Sequence, residues 1–282
     1  MDKKKLIWII CGIVLLLIVV FIVSGNKGKQ DKITNESNNR GNSIESSDEL
    51  FTWDGTTITG LTEKGLNATN IVIPAKCTGF GNDMSFMESK AKKVEFEDDD
   101  DIDIKMVFMG SKNIEHIYLP SGLTKIGYMA FSGCEALKEI SIPANVKQID
   151  SSVFSTCYSL SSVTFEGTQL TEIPEEMFSC CESLVSLSIP NGVVSIGAFA
   201  FDLCTSLEKV EFPETLTTMG MGVFNRSKIS EFHFPKNIKL TNAHGTAFGE
   251  AYLKDAYIYK DSWMDKNRNI WNLAGFANVY YE

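Results

Sequence analysis

The stretch from Ile126 to Pro143 reads IGYMAFSGCEALKEISIP, and the stretch from Ile196 to Pro213 reads IGAFAFDLCTSLEKVEFP. Both have an Ile-Gly pair, a phenylalanine, a cysteine, a leucine and a closing proline at the same offsets. A fixed period predicts a solenoid, in which one small unit is copied and each copy buries its apolar side against its neighbours. The period is 23 or 24 residues and is marked by Phe108, Phe131, Phe154, Phe178, Phe201, Phe224 and Phe248.

Nine blocks of the form apolar, any residue, apolar, usually Pro recur at the same period. Alternation of apolar and outward residues is typical of a strand, and Pro ends each strand because it cannot donate to a ladder. The blocks therefore predict nine short parallel strands. They are Ile71 to Pro74, Val94 to Glu97, Ile117 to Pro120, Ile140 to Pro143, Val163 to Glu166, Leu187 to Pro190, Val210 to Pro213, Phe232 to Pro235 and Ala256 to Tyr259.

Other columns of the repeat predict buried positions and turns. Cysteines follow four of the phenylalanines by three residues, and their common column predicts small buried apolar side chains. A disulfide between stacked neighbours is the alternative. The Ile-Gly pair predicts a tight turn in which Gly supplies backbone angles that other residues resist. The column cysteines are Cys134, Cys157, Cys181 and Cys204.

These columns resemble the BspA-like leucine-rich-repeat family, a group of mostly bacterial surface proteins with the pattern IGxxAFxxCxxLxxIxIP. The resemblance covers Phe51 to Glu282. It implies a leucine-rich-repeat solenoid of the α/β type, an arc with short parallel strands on one face and turns or 3-10 or helical segments on the other. It also implies an N-terminal cap over 51–70, a solenoid of about nine rungs over 71–259, and a C-terminal cap over 260–282. In that last segment Trp263, Trp271 and Phe276 are expected to cover the final apolar edge.

The amino-terminal segment predicts a membrane anchor. Leu6 to Val23 is an uninterrupted apolar run of 18 residues, or roughly 27 Å as a helix. Lys3, Lys4 and Lys5 precede it, so residues 1–5 are predicted to stay in the cytoplasm and everything after Val23 to lie outside the cell. A cleaved signal peptide, which would release a secreted protein, is the alternative. Residues 24–50 are polar and predict a flexible linker.

Charge and motif content argue against several functional classes. The formal net charge is −10, which disfavours nucleic acid as a partner. The acidic run from Glu95 to Asp103 lacks the glycine and ligand spacing of an EF-hand, so a solvated loop is favoured over a calcium site. The three histidines, His116, His233 and His244, accompany no nucleophile motif such as GxSxG. We therefore predict no metal, no cofactor and no enzymatic activity.

The predicted functional surface is the outward side of the strands, where one side chain per rung lies between two buried ones. A protein-binding or adhesion module that uses this surface is the favoured function, with a host protein, an envelope protein or a glycan as partner. A structural or assembly scaffold within the cell's own envelope is the alternative. The candidate contact residues are Tyr118, Ser141, Thr164, Ser188, Glu211, His233 and Tyr257 in a central row, with His116 and Glu231 beside it.

Overall fold

The computed structural model describes residues 47–81, 86–98, 100–167, 169–240, 247–249, 251, 253–271 and 275–282. Glu45 to Glu282 makes one compact unit. Within the described residues, no helix has both the length and the apolar character needed to cross a bilayer. The predicted anchor from Leu6 to Val23, and the polar stretch that follows it as far as residue 46, lie outside the described residues.

The unit begins with a hairpin that closes one end of the repeat array. Strand β1 (Phe51–Asp54) pairs antiparallel with β2 (Thr57–Leu61), and β4 (Gly79–Phe80) adds to β2 in parallel. A 3-10 turn over Ser47–Leu50 precedes the hairpin, and a short helix α1 (Glu63–Asn67) follows it. Phe51 is buried, and Trp53 packs against the core. The expected N-terminal cap is thus mostly strand.

Nine parallel strands, which we call the front strands, correspond one for one to the predicted blocks. Their outward side, extended by a tenth strand described below, is called the strand face. β3, β5, β6, β8 and β10 form one ladder, β12 pairs with β14, and β16 pairs with β17. The front strands are β3 (Asn70–Ile73), β5 (Lys93–Phe96), β6 (His116–Ile117), β8 (Glu139–Ile142), β10 (Ser162–Phe165), β12 (Ser186–Ser188), β14 (Lys209–Glu211), β16 (Glu231–His233) and β17 (Asp255–Ile258).

The described residues that connect successive front strands form turns and, in the five rungs from β6 to β14, two-residue strands, which differs from the helical segments that the family resemblance allowed. These strands pair in parallel, β7 with β9 and β11 with β13 and β15, and we call them the second sheet. The described helices lie only near the ends of the unit. The fold is therefore a parallel-strand β-solenoid of the leucine-rich-repeat kind with little helix. The second-sheet strands are β7 (Lys125–Ile126), β9 (Gln148–Ile149), β11 (Glu172–Ile173), β13 (Ser195–Ile196) and β15 (Thr218–Met219).

Backbone geometry explains why these segments are not helical. In six successive rungs the residues two before and two after the column Phe have positive φ, as with Met129 at 53° and Gly133 at 76° around Phe131. A right-handed helix cannot continue through a left-handed residue. The positions before the Phe are Met106, Met129, Ser152, Glu176, Phe199 and Gly222, and those after it are Gly110, Gly133, Thr156, Cys180, Leu203 and Arg226.

The core is a column of stacked aromatic rings. All seven column phenylalanines are fully buried, and each ring lies nearly parallel to the next. Successive centroids are 5.3 to 6.1 Å apart with interplanar angles of 3° to 19°. This separation lies within the favourable range for offset aromatic pairs. One ring per rung therefore contributes both burial and a fixed spacing.

The cysteine column is buried as predicted and also makes a hydrogen bond that the sequence did not indicate. Each thiol donates to the carbonyl oxygen of the column Phe one rung earlier, for example Cys204 Sγ to Phe178 O at 3.0 Å and Cys134 Sγ to Phe108 O at 3.2 Å. The four column cysteines form no disulfide, so the disulfide alternative is wrong for this column. Burial raises the pKa of Cys134 to about 12, which keeps this thiol protonated and unreactive.

The Ile-Gly glycines are needed for space rather than for backbone angles, so that part of the prediction is wrong. Gly127, Gly197 and Gly220 are not among the positive-φ residues. A Cβ on Gly197 would lie 2.4 Å from the backbone nitrogen of Glu175 in the preceding rung. A Cβ on Gly220 would lie 2.5 Å from the backbone nitrogen of Ala198. Glycine lets two successive turns approach each other closely.

The C-terminal segment closes the array with helices and an additional strand. Helices α2 (Trp263–Lys266) and α3 (Arg268–Trp271) follow the last predicted rung, and β18 (Asn278–Tyr281) pairs in parallel with β17. Phe276 packs edge-to-face on Phe248 at 5.3 Å, and Trp263 packs against the core. These contacts agree with the expected cap. The side chain of Trp271 lies outside the described residues.

Substitution of Gly197 by Ala is expected to destabilise the unit by about 3 kcal/mol or more, because the new methyl group meets fixed backbone atoms. Gly167 supplies the matched control, since its φ is 71° and nothing lies within 4 Å of an added Cβ. Gly167→Ala should cost only about 1 kcal/mol for the left-handed backbone. Urea unfolding of Glu45–Glu282 followed by circular dichroism measures both. Equal losses would contradict the close-approach explanation.

Candidate functional site

The strand face presents the predicted contact residues in regular rows. Strand pairing places Ser141 beside Thr164 and Ser188 beside Glu211 on adjacent rungs. His233 is likewise paired with Tyr257. Side chains at these positions point away from the core because their neighbours in each strand are buried or are half-buried and pack against the core. The row has hydroxyl residues in its middle and aromatic or charged residues toward each end.

At the amino-terminal side of the strand face, Tyr118 is the prominent aromatic residue. Its side chain is 53% exposed, and Lys93 Nζ lies 5.1 Å above its ring. Lys93 also pairs with Glu95 at 2.7 Å. His116 lies beside Tyr118, with its Nδ1 atom 3.4 Å from Glu139 Oε1. A cleft of about 270 Å³ contains His116, Tyr118, Ser141 and Thr164 in its lining, so the structure brings four predicted contact residues together.

A chain of charges runs across the rungs next to this cleft. Glu115 accepts a hydrogen bond from Lys92 Nζ at 2.9 Å through one carboxylate oxygen and one from Lys138 Nζ at 2.5 Å through the other. The hydrogen bonds from Lys138 and Lys92 lower the pKa of Glu115 to about 2. The carboxylate thus connects three successive rungs, which is a structural role outside the predicted rows.

At the carboxyl-terminal side, three aromatic side chains stack on adjacent strands. The ring of His233 lies 4.3 Å from that of Tyr257 with an interplanar angle of 1°, and Tyr257 lies 5.1 Å from Tyr280 at 24°. We call these three residues the aromatic ladder. Sequence reasoning missed Tyr280 because it ended the rungs at Tyr259. The spacing of 23 residues between Tyr257 and Tyr280 was the available signal.

An acidic cleft of about 440 Å³ adjoins the aromatic ladder. It lies between β14 and β16, which share no ladder among the described strands. Lys209 is paired with Glu211 at 2.6 Å, and Glu282 contacts His233 Nδ1. The lining carboxylates are Glu208, Glu211, Glu214, Glu231 and Glu282.

Tyrosine pKa values report the negative potential around this cleft. Glu214 is the largest cause of the raised pKa of Tyr259, which lines the cleft, followed by partial desolvation and Glu282. Desolvation raises the pKa of Tyr257, and Glu231 adds to that effect. Within the described residues, Glu208, Glu214 and Glu231 have no ion-pair partner. The cleft therefore combines aromatic surface with uncompensated negative charge, which favours a cationic group.

One position in the row that contains His116 and Glu231 is buried and not exposed on the strand face. Asp255 pairs with Glu231 in the strand register and would face outward in a nine-rung array, but it is only 8% exposed. Its Oδ1 atom accepts a hydrogen bond from Asn278 Nδ2 at 2.8 Å. The reason is the tenth strand β18, which covers the position that a nine-rung array would leave open.

The acidic run before the third rung has structural partners in the described residues. Asp101 accepts hydrogen bonds from the backbone nitrogen and the hydroxyl of Thr124 at 2.9 and 2.7 Å. Glu97, which replaces Pro, accepts from the backbone nitrogen of Ala75 at 2.9 Å. Across the part of the chain that the structure describes, no three His, Cys, Asp or Glu side chains are grouped to hold a metal ion. Asp99 and His244 lie outside the described residues.

Comparison with known proteins identifies the repeat. The family model for the BspA type leucine rich repeat region matches residues 62–175 and 171–262 in six copies. A leucine-rich repeat protein from Bacteroides ovatus is 22% identical with a TM-score of 0.56, and the match covers 80% of this chain and 64% of that one. One from Eubacterium ventriosum is also 22% identical with a TM-score of 0.55, covering 80% and 53%. This chain thus spans less than two thirds of either protein. A search of curated proteins found no match.

Acidification is expected to remove the stabilisation contributed by Glu115. Its pKa in the folded chain, about 2, is below the ordinary 4.5, so the stabilisation is complete above about pH 4.5 and is lost as pH falls toward 2. The melting temperature of the wild type should fall more over that range than that of Glu115→Gln. Glu172→Gln, at an exposed position without an ion pair among the described residues, is the control and should follow the wild type. Parallel curves for all three proteins would contradict this role.

Proposed function

We propose that this chain, which belongs to the BspA-type leucine-rich repeat family, is a membrane-anchored extracellular protein that binds a partner protein through its strand face. Repeat proteins of this kind present extended surfaces on which each rung contributes one position, and they generally serve as protein-interaction modules. An adhesion role, with the partner on another cell or its matrix, is the finer form of this proposal. No step of it requires catalysis.

The observation that carries the proposal is the aromatic ladder beside the acidic cleft. Stacked rings on an exposed sheet offer apolar area that loses little conformational entropy on binding. Aromatic residues are also enriched in protein interfaces. The neighbouring carboxylates add a charge preference, because Glu208, Glu214 and Glu231 are not neutralised by ion pairs among the described residues. The partner is therefore expected to present a basic segment to this end of the strand face.

The middle of the strand face supports the approach of such a partner. Ser141, Thr164 and Ser188 are small and polar, so they leave room for a bound chain above the sheet. Tyr118 stands beyond them at the other end with Lys93 over its ring. A partner that extends along the face would meet aromatic contacts at both ends and hydroxyl groups between them.

Membrane anchoring rests on the sequence of the amino-terminal segment. Leu6 to Val23 is long enough to span the hydrocarbon core, and the lysines before it favour a cytoplasmic amino terminus. The polar composition of the residues between this run and the repeat unit is typical of a linker. This arrangement gives a tethered unit access to partners outside the cell.

Replacement of His233 and Tyr257 by Ser tests the strand face. Serine already occupies the same row at Ser141 and Ser188, so the sheet is expected to tolerate the change. Binding to matrix proteins, host-cell surface extract and the producer's own envelope is measured first with wild-type protein. For a ligand found there, we expect at least a tenfold loss of affinity in the double variant, about 1.4 kcal/mol. The double variant Glu211→Gln with Glu231→Gln should bind the same ligand with lower affinity, and that affinity should depend less on salt concentration.

Tyr128→Ser is the matched control because Tyr128 is an exposed tyrosine in the turn that follows β7 of the second sheet. It should bind as the wild type does. A ligand that is lost with Tyr128→Ser but retained by the double variant would refute the strand-face assignment.

Protease treatment of intact producing cells tests the location. An exposed, tethered unit should be cut between the predicted anchor and the repeat and appear in the supernatant. A unit released only after the envelope is permeabilised would favour the alternative of an internal envelope scaffold. A unit found in the medium before protease is added would indicate that the amino-terminal segment is cleaved as a signal peptide.

A further inference from the structure

A second cleft, distinct from the strand face, lies at the end of the second sheet. It has a volume of about 770 Å³ and borders β15 through Thr217 and Thr218. Three lysines line it, namely Lys236, Lys239 and Lys260. Asp261 is the only carboxylate among the described lining residues. The lining is therefore cationic, although the whole chain carries a formal net charge of −10.

The repeat itself brings these lysines together. Lys236 and Lys239 lie in the turn after β16, and Lys260 lies in the equivalent region after β17. The backbone nitrogen of Lys239 donates to the carbonyl oxygen of Thr217 at 2.8 Å, which fixes this turn against the preceding rung. Positions on successive turns thus share one depression. A single exposed lysine would not indicate a binding site for a negatively charged ligand, whereas three in one depression do.

None of the three lysines forms an ion pair among the described residues, although they lie together in one cleft. Several lysines elsewhere in the unit are instead neutralised by carboxylates, as in Lys64 with Glu49 at 2.9 Å and Lys125 with Asp150 at 2.9 Å. Positive charge concentrated in a cleft and left uncompensated favours a bound anion. The cleft therefore selects for a ligand that supplies several negative groups.

The remaining lining residues indicate the rest of the ligand. Trp263 is half-buried, packs on the core and also lines the cleft, so part of its ring surface is available. The Thr218 hydroxyl is exposed beside it. An aromatic ring with hydroxyl groups suits a sugar, whose C–H face stacks on the ring and whose hydroxyls exchange hydrogen bonds. An acidic peptide would pair with the lysines, but its side-chain carboxylates would not stack on the tryptophan ring as a sugar does.

We propose that this cleft binds an anionic glycan, a saccharide polymer that carries sulfate or phosphate groups. The lysines bind the anionic groups of the polymer, and the ring of Trp263 stacks on a sugar that carries or adjoins those groups. The site is independent of the strand face, so a protein partner and a glycan are able to bind at the same time. Such a polymer has two possible sources, sulfated chains on host surfaces and phosphate-bearing polymers of a cell envelope.

The test uses the full chain in an uncharged polyoxyethylene detergent and measures affinity by surface plasmon resonance. The immobilised probes are a heparin octasaccharide, a glycerol-phosphate polymer that carries sugar substituents, and polyglutamate. Wild-type protein should bind heparin, the glycerol-phosphate polymer or both, and the one that binds identifies the source. The variant K236Q/K239Q/K260Q should lose at least tenfold in affinity. Polyglutamate that binds as tightly as the glycans would overturn the saccharide assignment in favour of an acidic peptide.

The matched control is K64Q/K112Q/K125Q, which changes the net charge equally but removes lysines that form ion pairs away from the cleft. It should stay within twofold of the wild type. Equal losses in both triple variants, or no binding of either glycan by the wild type, would overturn the proposal.

Two further variants test the role of the tryptophan and the independence of the lysine cleft from the strand face. Trp263→Leu keeps an apolar side chain on the core and should weaken glycan binding severalfold, while unchanged affinity would remove the sugar-stacking role. His233→Ser with Tyr257→Ser should bind the glycan as the wild type does. Loss of glycan binding in that variant would indicate that the glycan binds the strand face and not the lysine cleft. The glycan measurement does not depend on whether a protein partner of the strand face is found.

Discussion

The structure depends on the stacking of one buried phenylalanine ring per rung. Six successive contacts between column rings, each with centroids 5.3 to 6.1 Å apart, set the distance between rungs along most of the unit. The glycines of the Ile-Gly pairs permit that distance, because a methyl group there would overlap the previous turn. Thiols of the cysteine column donate to the phenylalanine carbonyls one rung earlier and hold the same register. Burial, spacing and register therefore have one common origin.

The strand face inherits its order from this core. Because neighbouring strands pair in register, side chains at equivalent positions are brought within stacking or pairing distance. The aromatic ladder of His233, Tyr257 and Tyr280 is one product of this geometry. The carboxylate of Glu115 between Lys92 and Lys138 is another. Both are cross-rung contacts, so a substitution in the core that shifted one rung would disturb the surface as well.

Charge is distributed unevenly over a chain that is acidic as a whole. The cleft between β14 and β16 gathers glutamates on the strand face, whereas the cleft beside β15 gathers lysines at the end of the second sheet. The two clefts arise where the regular pairing is interrupted, between β14 and β16 in the first case and beyond the last strand of the second sheet in the other. These two clefts are larger than the cleft of about 270 Å³ on the uninterrupted ladder of β6, β8 and β10. The irregular rungs therefore carry the most distinctive surfaces.

The repeat period determined much of this protein from sequence alone. Apolar alternation and proline located all nine front strands, and the period placed the phenylalanine and cysteine columns inside, because local strand patterns and equal spacing are written directly in the chain. Other features required contacts between residues far apart in sequence. Gly197 is needed because of Glu175 in the preceding rung. Thiol donation in the cysteine column and the joining of Lys236, Lys239 and Lys260 in one cleft also depend on how rungs stack. Side-chain proximity across rungs is a property of packing, and only the tertiary structure decides it.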